Sequence, residues 1–383
     1  MLHKRRPTLA APPPDPFGER RPVAFRERLQ LLGGEFEFAT DRARLLRIVR
    51  QAYARLPPHK FGGTNPRFKV RLVLTPGGTQ SRSRREPPPV RNLAAAGLLC
   101  GAMDRANFVA LTPQQRSALI VLSSDKLRYP YHIRYELLEF AVYVLASRAQ
   151  RLVPLHAACF GKGEQGVLVM GASGSGKSTL ALHALLSGLD FLAEDSVLVD
   201  PRGVRATGVA NFLHLRPDSL RFLAAAERAL LIEKSSVVRR RSGVTKLEID
   251  LRRPQFRLAA RPLRIRALLF LSSQRVGRRG LLTPLSASEV QRRLVASQRY
   301  AAQQPGWRAF RAQACRLPGY QLRRGAHPRA AAEAVRELLA RMPARRARAP
   351  RPSSPRRRGR MAQPIGRSVP EEIRVGSEAS SDA

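Results

Sequence analysis

Val167-Leu168-Val169-Met170-Gly171-Ala172-Ser173-Gly174-Ser175-Gly176-Lys177-Ser178-Thr179-Leu180 is the stretch that decides the fold. Its first four residues form an apolar run that reads as a buried parallel strand. Gly171 to Ser178 then satisfies G-x-x-x-x-G-K-[ST], a phosphate-loop pattern. Beyond it Leu180, Leu182, Leu185 and Leu186 recur at helical spacing up to Gly188, a helix stop. Strand, glycine loop and helix follow one another in the order that phosphate binding requires. Successive backbone N–H groups in such a loop and at the helix N-terminus cradle an anion. Gly171, Gly174 and Gly176 permit the backbone angles and the close approach. Ala172, Ser173, Ser175 and Thr179 complete the binding stretch, the Lys177 ammonium meets the outer phosphates, and the Ser178 hydroxyl ligates Mg²⁺. ATP with Mg²⁺ is therefore the expected ligand pair. A structural glycine turn with a chance Lys-Ser is the plainer alternative, and the flanking strand and helix speak against it.

A chain of 383 residues accommodates two or more domains and a large core. Its net charge of +41 would normally point to nucleic acid. The basic residues, however, are sixty-one arginines and only eight lysines, scattered through every segment. That reads as compositional bias of a GC-rich genome rather than as a binding face. Cys100, Cys159 and Cys315 are far apart and odd in number, so they form neither a metal cluster nor a disulfide framework. His3-Lys4-Arg5-Arg6 runs into prolines without the apolar core of a signal peptide, and no stretch reaches the length of a membrane span. A cytoplasmic location is expected.

Residues 1–24 read as a disordered Pro/Arg-rich N-terminus, and residues 342–383 as a disordered basic tail. The tail is a solvated linker first and a nucleic-acid or membrane-surface contact second. Residues 25–149 read as a small α+β lobe. Its expected strands are Phe36–Phe38, Val70–Leu74, Phe108–Leu111 and Ala118–Leu122. A helix is expected over Asp41–Ala54, capped by Thr40 or Asp41, then a polar loop at Thr79–Pro89 and a largely buried helix over Ile133–Arg148. This lobe carries no recognisable chemistry. Residues 150–341 read as an α/β nucleotide-binding domain with a mixed sheet. Short strands are expected within Val204–Leu215, strands at Val244–Leu251 and Ile265–Leu271 (the latter central), and helices at Ala287–Tyr300, Trp307–Ala314 and Arg329–Arg341.

Glu194 and Asp195 lie seventeen and eighteen residues after Lys177, at the end of Leu189-Asp190-Phe191-Leu192-Ala193. Acids so close to the loop imply that the next strand lies beside it and presents both carboxylates to the outer phosphates. No transporter signature such as LSGGQ and no NKxD-type guanine reader is present.

His156, the loop, Gly188 and the Glu194-Asp195 pair together resemble the catalytic domain of HPr kinase/phosphorylase. The span from about Leu152 to Leu339 is similar to the broader group of HPr-kinase-like bacterial proteins, with the Leu155-His156-Ala157-Ala158 start and the later Phe270-Leu271, Leu282-Thr283-Pro284-Leu285 and Gly306-Trp307 segments. The resemblance implies a P-loop domain of HPr-kinase type and a serine kinase, some of whose relatives phosphorylate a serine of a small peptide. It also implies catalytic roles for Glu194, Asp195, Lys177 and His156. Glu194 would accept the proton of the serine hydroxyl, Asp195 would join Ser178 in holding Mg²⁺, and His156 would position the nucleophile or the γ-phosphate. Two departures stand out: Glu194 replaces the usual aspartate, and the downstream glycine-bearing signature tied to phosphorolysis is absent around Val244–Leu251. Neither the reverse phosphorylase activity nor the carrier protein as acceptor is expected.

Plainer readings stay open for single residues. Asp195 could be a solvated turn acid, Glu194 non-catalytic and His156 a structural strand end; Lys246 reads first as an exposed strand lysine, with a phosphate contact as the alternative. At the level of the whole chain, a serine kinase acting on a peptide or protein leads. A catalytically inactive ATP-binding regulatory or scaffold protein comes next, and a nucleic-acid-associated ATPase, reached through the basic tail, third. Homo-oligomerisation, the acceptor and the choice of ATP over GTP stay open.

Overall fold

The computed structural model describes residues 22–63, 65–77, 86–233, 235–276 and 280–342. Residues 1–21 of the expected disordered N-terminus, 78–85 of the expected polar loop and the whole tail from 343 lie outside the described residues. Ala24, placed in that N-terminal stretch, already donates its N–H to Thr40 O.

The first half is built on a sheet. Its elements are β1 (Phe25–Leu31), β2 (Gly34–Thr40), α1 (Ala43–Tyr53), β3 (Arg67–Thr75), β4 (Arg91–Ala95), β5 (Leu98–Asp104), β6 (Asn107–Thr112) and β7 (Ser117–Ser123). The strands run in the order β1-β2-β3-β7-β6-β5-β4, parallel across β2, β3 and β7 and antiparallel elsewhere. Alternation decides the faces: Phe36 and Phe38 of β2 are fully buried, while Glu37 between them pairs with Arg26 and Arg28. Leu45, Ile48, Val49 and Ala52 of α1 recur at helical spacing and are buried. The cap differs from expectation. Arg42 occupies the N-cap without a side-chain bond, and Thr40 Oγ1 only accepts the Arg42 N–H at 3.2 Å.

After β7 come α2 (Pro130–His132), a π-type segment at Ile133–Leu138 and α3 (Glu139–Gln150). The single helix expected over Ile133–Arg148 is thus wound wider at its start, a feature that redirects side chains. Leu137, Leu138, Ala141, Val142 and Leu145 seal one face against the first sheet, and Leu198 and Val209 from the second half share that core. The described residues belong to one compact unit.

The second half supplies β8 (Val153–His156), β9 (Ala158–Lys162), β10 (Gln165–Met170), α4 (Lys177–Leu186), β11 (Asp190–Ala193), β12 (Ser196–Asp200) and β13 (Arg205–Gly208). A small antiparallel sheet follows, formed by β14 (Phe212–Leu215), β15 (Ser235–Arg239) and β16 (Thr245–Asp250), with α5 (Ala225–Glu233) inserted. The chain continues through β17 (Leu263–Arg275), β18 (Leu282–Leu285), α6 (Ala287–Ser297), α7 (Arg299–Ala302), α8 (Trp307–Ala314), β19 (Gly319–Arg324) and α9 (Pro328–Arg341). The helix expected over Ala287–Tyr300 breaks at Gln298 into α6 and α7. No helix among the described residues is long and apolar enough to cross a membrane.

The larger sheet has the order β11-β9-β10-β17-β13-β12-β8, with β19 also on β17 and β18 on β19. β17 is central as expected, and parallel to β10. β11 and β12 lie near opposite ends of this path, yet only Glu194 and Asp195 separate them. So short a connection spans at most about 11 Å. The sheet must therefore curl until its ends meet, and the two acids sit on the seam. Close approach there demands glycine: a Cβ on Gly208 of β13 would lie 2.6 Å from Ala193 Cβ. Alternation again sorts the faces. Cys159, Leu168 and Met170 point into one core, while Phe160, Val167 and Val169 point to another with Leu180, Ala181 and Ala184 of α4 and Val335 of α9.

Candidate active site

β10 ends at Met170, the chain turns through Gly171–Gly176, and α4 begins at Lys177. Gly174 and Gly176 take φ of +76° and +102°, backbone that a side chain would strain. The Lys177 side chain folds back over the loop and donates from Nζ to Gly171 O at 2.7 Å and Ala172 O at 3.3 Å. Burial lowers its pKa, and the charges of Asp195 and Glu194 oppose that shift.

One residue on, the Ser178 hydroxyl donates directly to Glu194 Oε1. The other oxygen of this buried carboxylate accepts the backbone N–H of His214 at 2.7 Å. Asp195, half-exposed, points elsewhere: its Oδ1 lies 3.0 Å from His156 Nδ1. Burial raises the Asp195 pKa, but the hydrogen bond and charge of His156, with Arg240 and Lys177 beyond, outweigh it and hold the carboxyl at about 2. The buried Gln298 fixes His156 from behind, accepting its N–H at 2.8 Å and donating to its carbonyl at 3.0 Å. The break between α6 and α7 is what brings Gln298 there.

Thus the fold gathers His156, Ser173, Gly174, Gly176, Lys177, Ser178, Thr179, Glu194 and Asp195 on one cavity of about 210 Å³. Gly171, Ala172 and Ser175 are not on its wall. The first two hold Lys177 through their carbonyls, and Ser175 lines a neighbouring cavity that shares Gly174, Gly176 and Thr179 with this one. The route to the acids also differs from expectation. β11 is not beside β10; β9 lies between them, and the acids arrive because the sheet curls.

Two wall residues, Arg216 and Arg240, escaped the sequence reading, and Lys246 follows its second reading there rather than its first. Arg216, Arg240 and Lys246 line the same cavity as Lys177, and among the described residues none of the four has a carboxylate within ion-pair distance. Burial lowers the Lys246 pKa, and repulsion by Arg240 lowers it further. Lys246 is hence no simple exposed strand lysine. The signal was present in Thr245-Lys246-Leu247-Glu248-Ile249, whose alternation puts Lys246 and Glu248 on one face. Glu248 is buried and accepts from Arg134 Nη2 at 2.9 Å, the Tyr135 hydroxyl at 3.0 Å and Ser236 Oγ at 3.2 Å. Burial alone would raise its carboxyl, but His214 and Arg134 bring it down to about 2. Through this bond set the first half of the chain touches the site. Four unpaired cations around an amide-rich loop, two of them part-buried and depressed, make a pocket suited to a polyanion.

No family model matches the chain, and no curated protein matches it. Among solved structures the chain is similar to the Hpr(Ser) kinase/phosphatase from Coxiella burnetii, at 13% sequence identity and a TM-score of 0.24, over 49% of this chain and 88% of that one. Overlap at that level assigns no activity, so the chemistry rests on the geometry above.

Proposed function

We propose that the protein is an ATP-dependent phosphotransferase that moves the γ-phosphoryl group to a serine hydroxyl of a peptide or protein. The observation that carries this reading is the convergence of Lys177, Arg216, Arg240 and Lys246 on the glycine-loop cavity that Glu194 and Asp195 also line. Cations and loop amides bind the triphosphate, and they act most strongly where charge spreads over the transferring group.

Mg²⁺ fits this donor set. The Ser178 hydroxyl already touches the Glu194 carboxylate, so two hard oxygen donors stand together at the helix start. No cluster of three or more His, Cys, Asp or Glu that could hold a metal occurs among the described residues, and Mg²⁺ needs none, because it binds through one or two protein oxygens plus substrate phosphates. Ser178 and Glu194 would hold it, where it neutralises phosphate charge. These contacts favour an exchange of the roles expected from the sequence: Glu194 on the metal side, Asp195 on the acceptor side. Asp195 Oδ then takes the acceptor's proton as the new bond forms, and His156 positions that carboxylate through the 3.0 Å contact. Lys177 exchanges its two carbonyl partners for phosphate oxygens.

The test is to incubate the full chain with Mg²⁺ and γ-labelled ATP together with serine-bearing peptides. Label should pass to the acceptor in step with ADP formation. ATP bound but neither transferred nor hydrolysed would instead leave a nucleotide-binding scaffold.

A further inference from the structure

A second, larger cavity of about 620 Å³ shares a wall with the loop cavity: Glu194, Asp195, His214 and Arg240 line both. Its far side comes from the first half of the chain. Tyr131, Tyr135, Phe140 and Tyr143 project from the π-type segment and its flanking helices, Phe212 faces them from β14, and Tyr300 stands exposed at the edge.

The polar groups on this wall are largely committed. Glu136 is held by Arg241 at 2.5 Å and by His132 at 2.9 Å. Asn211 donates to Ala52 O and accepts from Phe212 N. The Tyr135 hydroxyl donates a hydrogen bond to Glu248. Glu194 and Asp195 are engaged as described above. Glu139 differs from the other carboxyls: it lies part-buried on the cavity wall, and no hydrogen bond or ion pair reaches its carboxyl among the described residues. A part-buried carboxyl left without a partner on a cavity wall of aromatic faces suits a cation that donates several N–H bonds.

We propose that this cavity is the acceptor site and that it selects a hydroxyl compound bearing a protonated amine, the ammonium lying between Glu139 and the aromatic rings and the hydroxyl at Asp195. The assignment of the hydroxyl rests on the phosphotransferase reading; the amine site does not. In the reaction the acceptor oxygen bonds to the γ-phosphorus of the nucleoside triphosphate. The bond from that phosphorus to the β-bridging oxygen breaks, the diphosphate leaves, and the hydroxyl proton passes to Asp195.

The electrostatics agree. Burial pushes the Glu139 carboxyl up to about 8. Arg134 and Arg240 pull it down, Asp195 and Glu248 push it up, and Tyr53 and Tyr143 also face it. An empty site is thus mostly protonated at neutral pH, and an ammonium ion must displace that proton. The sign follows. Amine binding tightens as pH rises toward about 8, by up to about tenfold per pH unit, while an alkyl or lysyl side-chain amine stays charged until near 10.

Calorimetry on the full chain without nucleotide, with aminohexanol, hexanediol and a Ser-Lys dipeptide as probes, decides the matter. Aminohexanol or the dipeptide should bind at least about tenfold more tightly than hexanediol, and Glu139→Gln should erase the preference while melting as cooperatively as wild type. In wild type the preference should also grow between about pH 6 and about pH 8, which keeps the test valid even if the variant folds poorly. A tighter dipeptide assigns the amine to a peptide, a tighter aminohexanol to a small amino alcohol. Equal binding of amine and diol, a preference that survives Glu139→Gln, or one that is flat with pH overturns the proposal. Amine-selective binding without label transfer overturns the phosphotransferase reading alone. Transfer that is indifferent to Glu139→Gln overturns the amine site alone.

Discussion

Lys177→Ala should lower phosphoryl transfer about 10³-fold or more, equivalent to about 4 kcal/mol of lost transition-state stabilisation. Two features make this the largest single-residue effect. The Lys177 ammonium is one of four cations on the loop cavity, and it is the one mounted on the loop's own helix. It is also the only one of the four that bonds to the loop, through Gly171 O and Ala172 O, so it is poised to swap carbonyls for phosphate oxygens without crossing the cavity. Removing it leaves those carbonyls to water near the surface, so the fold should persist, and a thermal melt close to wild type is part of the expected result. Activity within about tenfold of wild type would mean that the loop does not seat the transferring phosphate.

Asp195→Asn and Glu194→Gln should fail in different ways, and the contrast separates their roles. Each substitution removes a charge while nearly conserving shape. Asp195→Asn takes away the proton acceptor and its negative charge beside His156, so kcat should fall by about 10² to 10⁴ with nucleotide affinity little changed. Glu194→Gln weakens the oxygen pair at Ser178, so the Mg²⁺ concentration needed for half-maximal rate should rise about tenfold or more. Steady-state rates across a Mg²⁺ titration distinguish the two. If Asp195→Asn shifts the Mg²⁺ requirement and Glu194→Gln lowers kcat at saturating Mg²⁺, the roles expected from the sequence are right and the exchange is wrong.

The uneven legibility of this chain has physical causes. Val167–Met170, the glycines and the Leu180–Leu186 pattern are local signals, and β10, the turn and α4 follow from them with little help from elsewhere. The alternating runs that become β2, β7 and β17 are equally plain. The curl of the larger sheet is not, because it depends on which strands pair at long range, and pairing order leaves no trace in hydropathy. That is why β11 was expected beside the loop strand although β9 intervenes. Gln298 shows the same limit. A composition-based helix runs through it, yet the break there delivers the side chain that pins His156. Arg240 and Arg216 were hidden by abundance, since one arginine among sixty-one carries no mark of its position. Glu139 was hidden by the apolar residues around it, which signal a buried helix and say nothing about a cavity beside it.

The most direct measurement is a structure of the full chain with Mg²⁺ and a non-hydrolysable ATP analogue. The account predicts the terminal phosphate between Lys177, Arg240 and Lys246, the metal on Ser178 and Glu194, and Asp195 facing the phosphorus from the side of the larger cavity. A triphosphate seated away from the Gly171–Ser178 turn, or seated there with both acids turned from it, would contradict it.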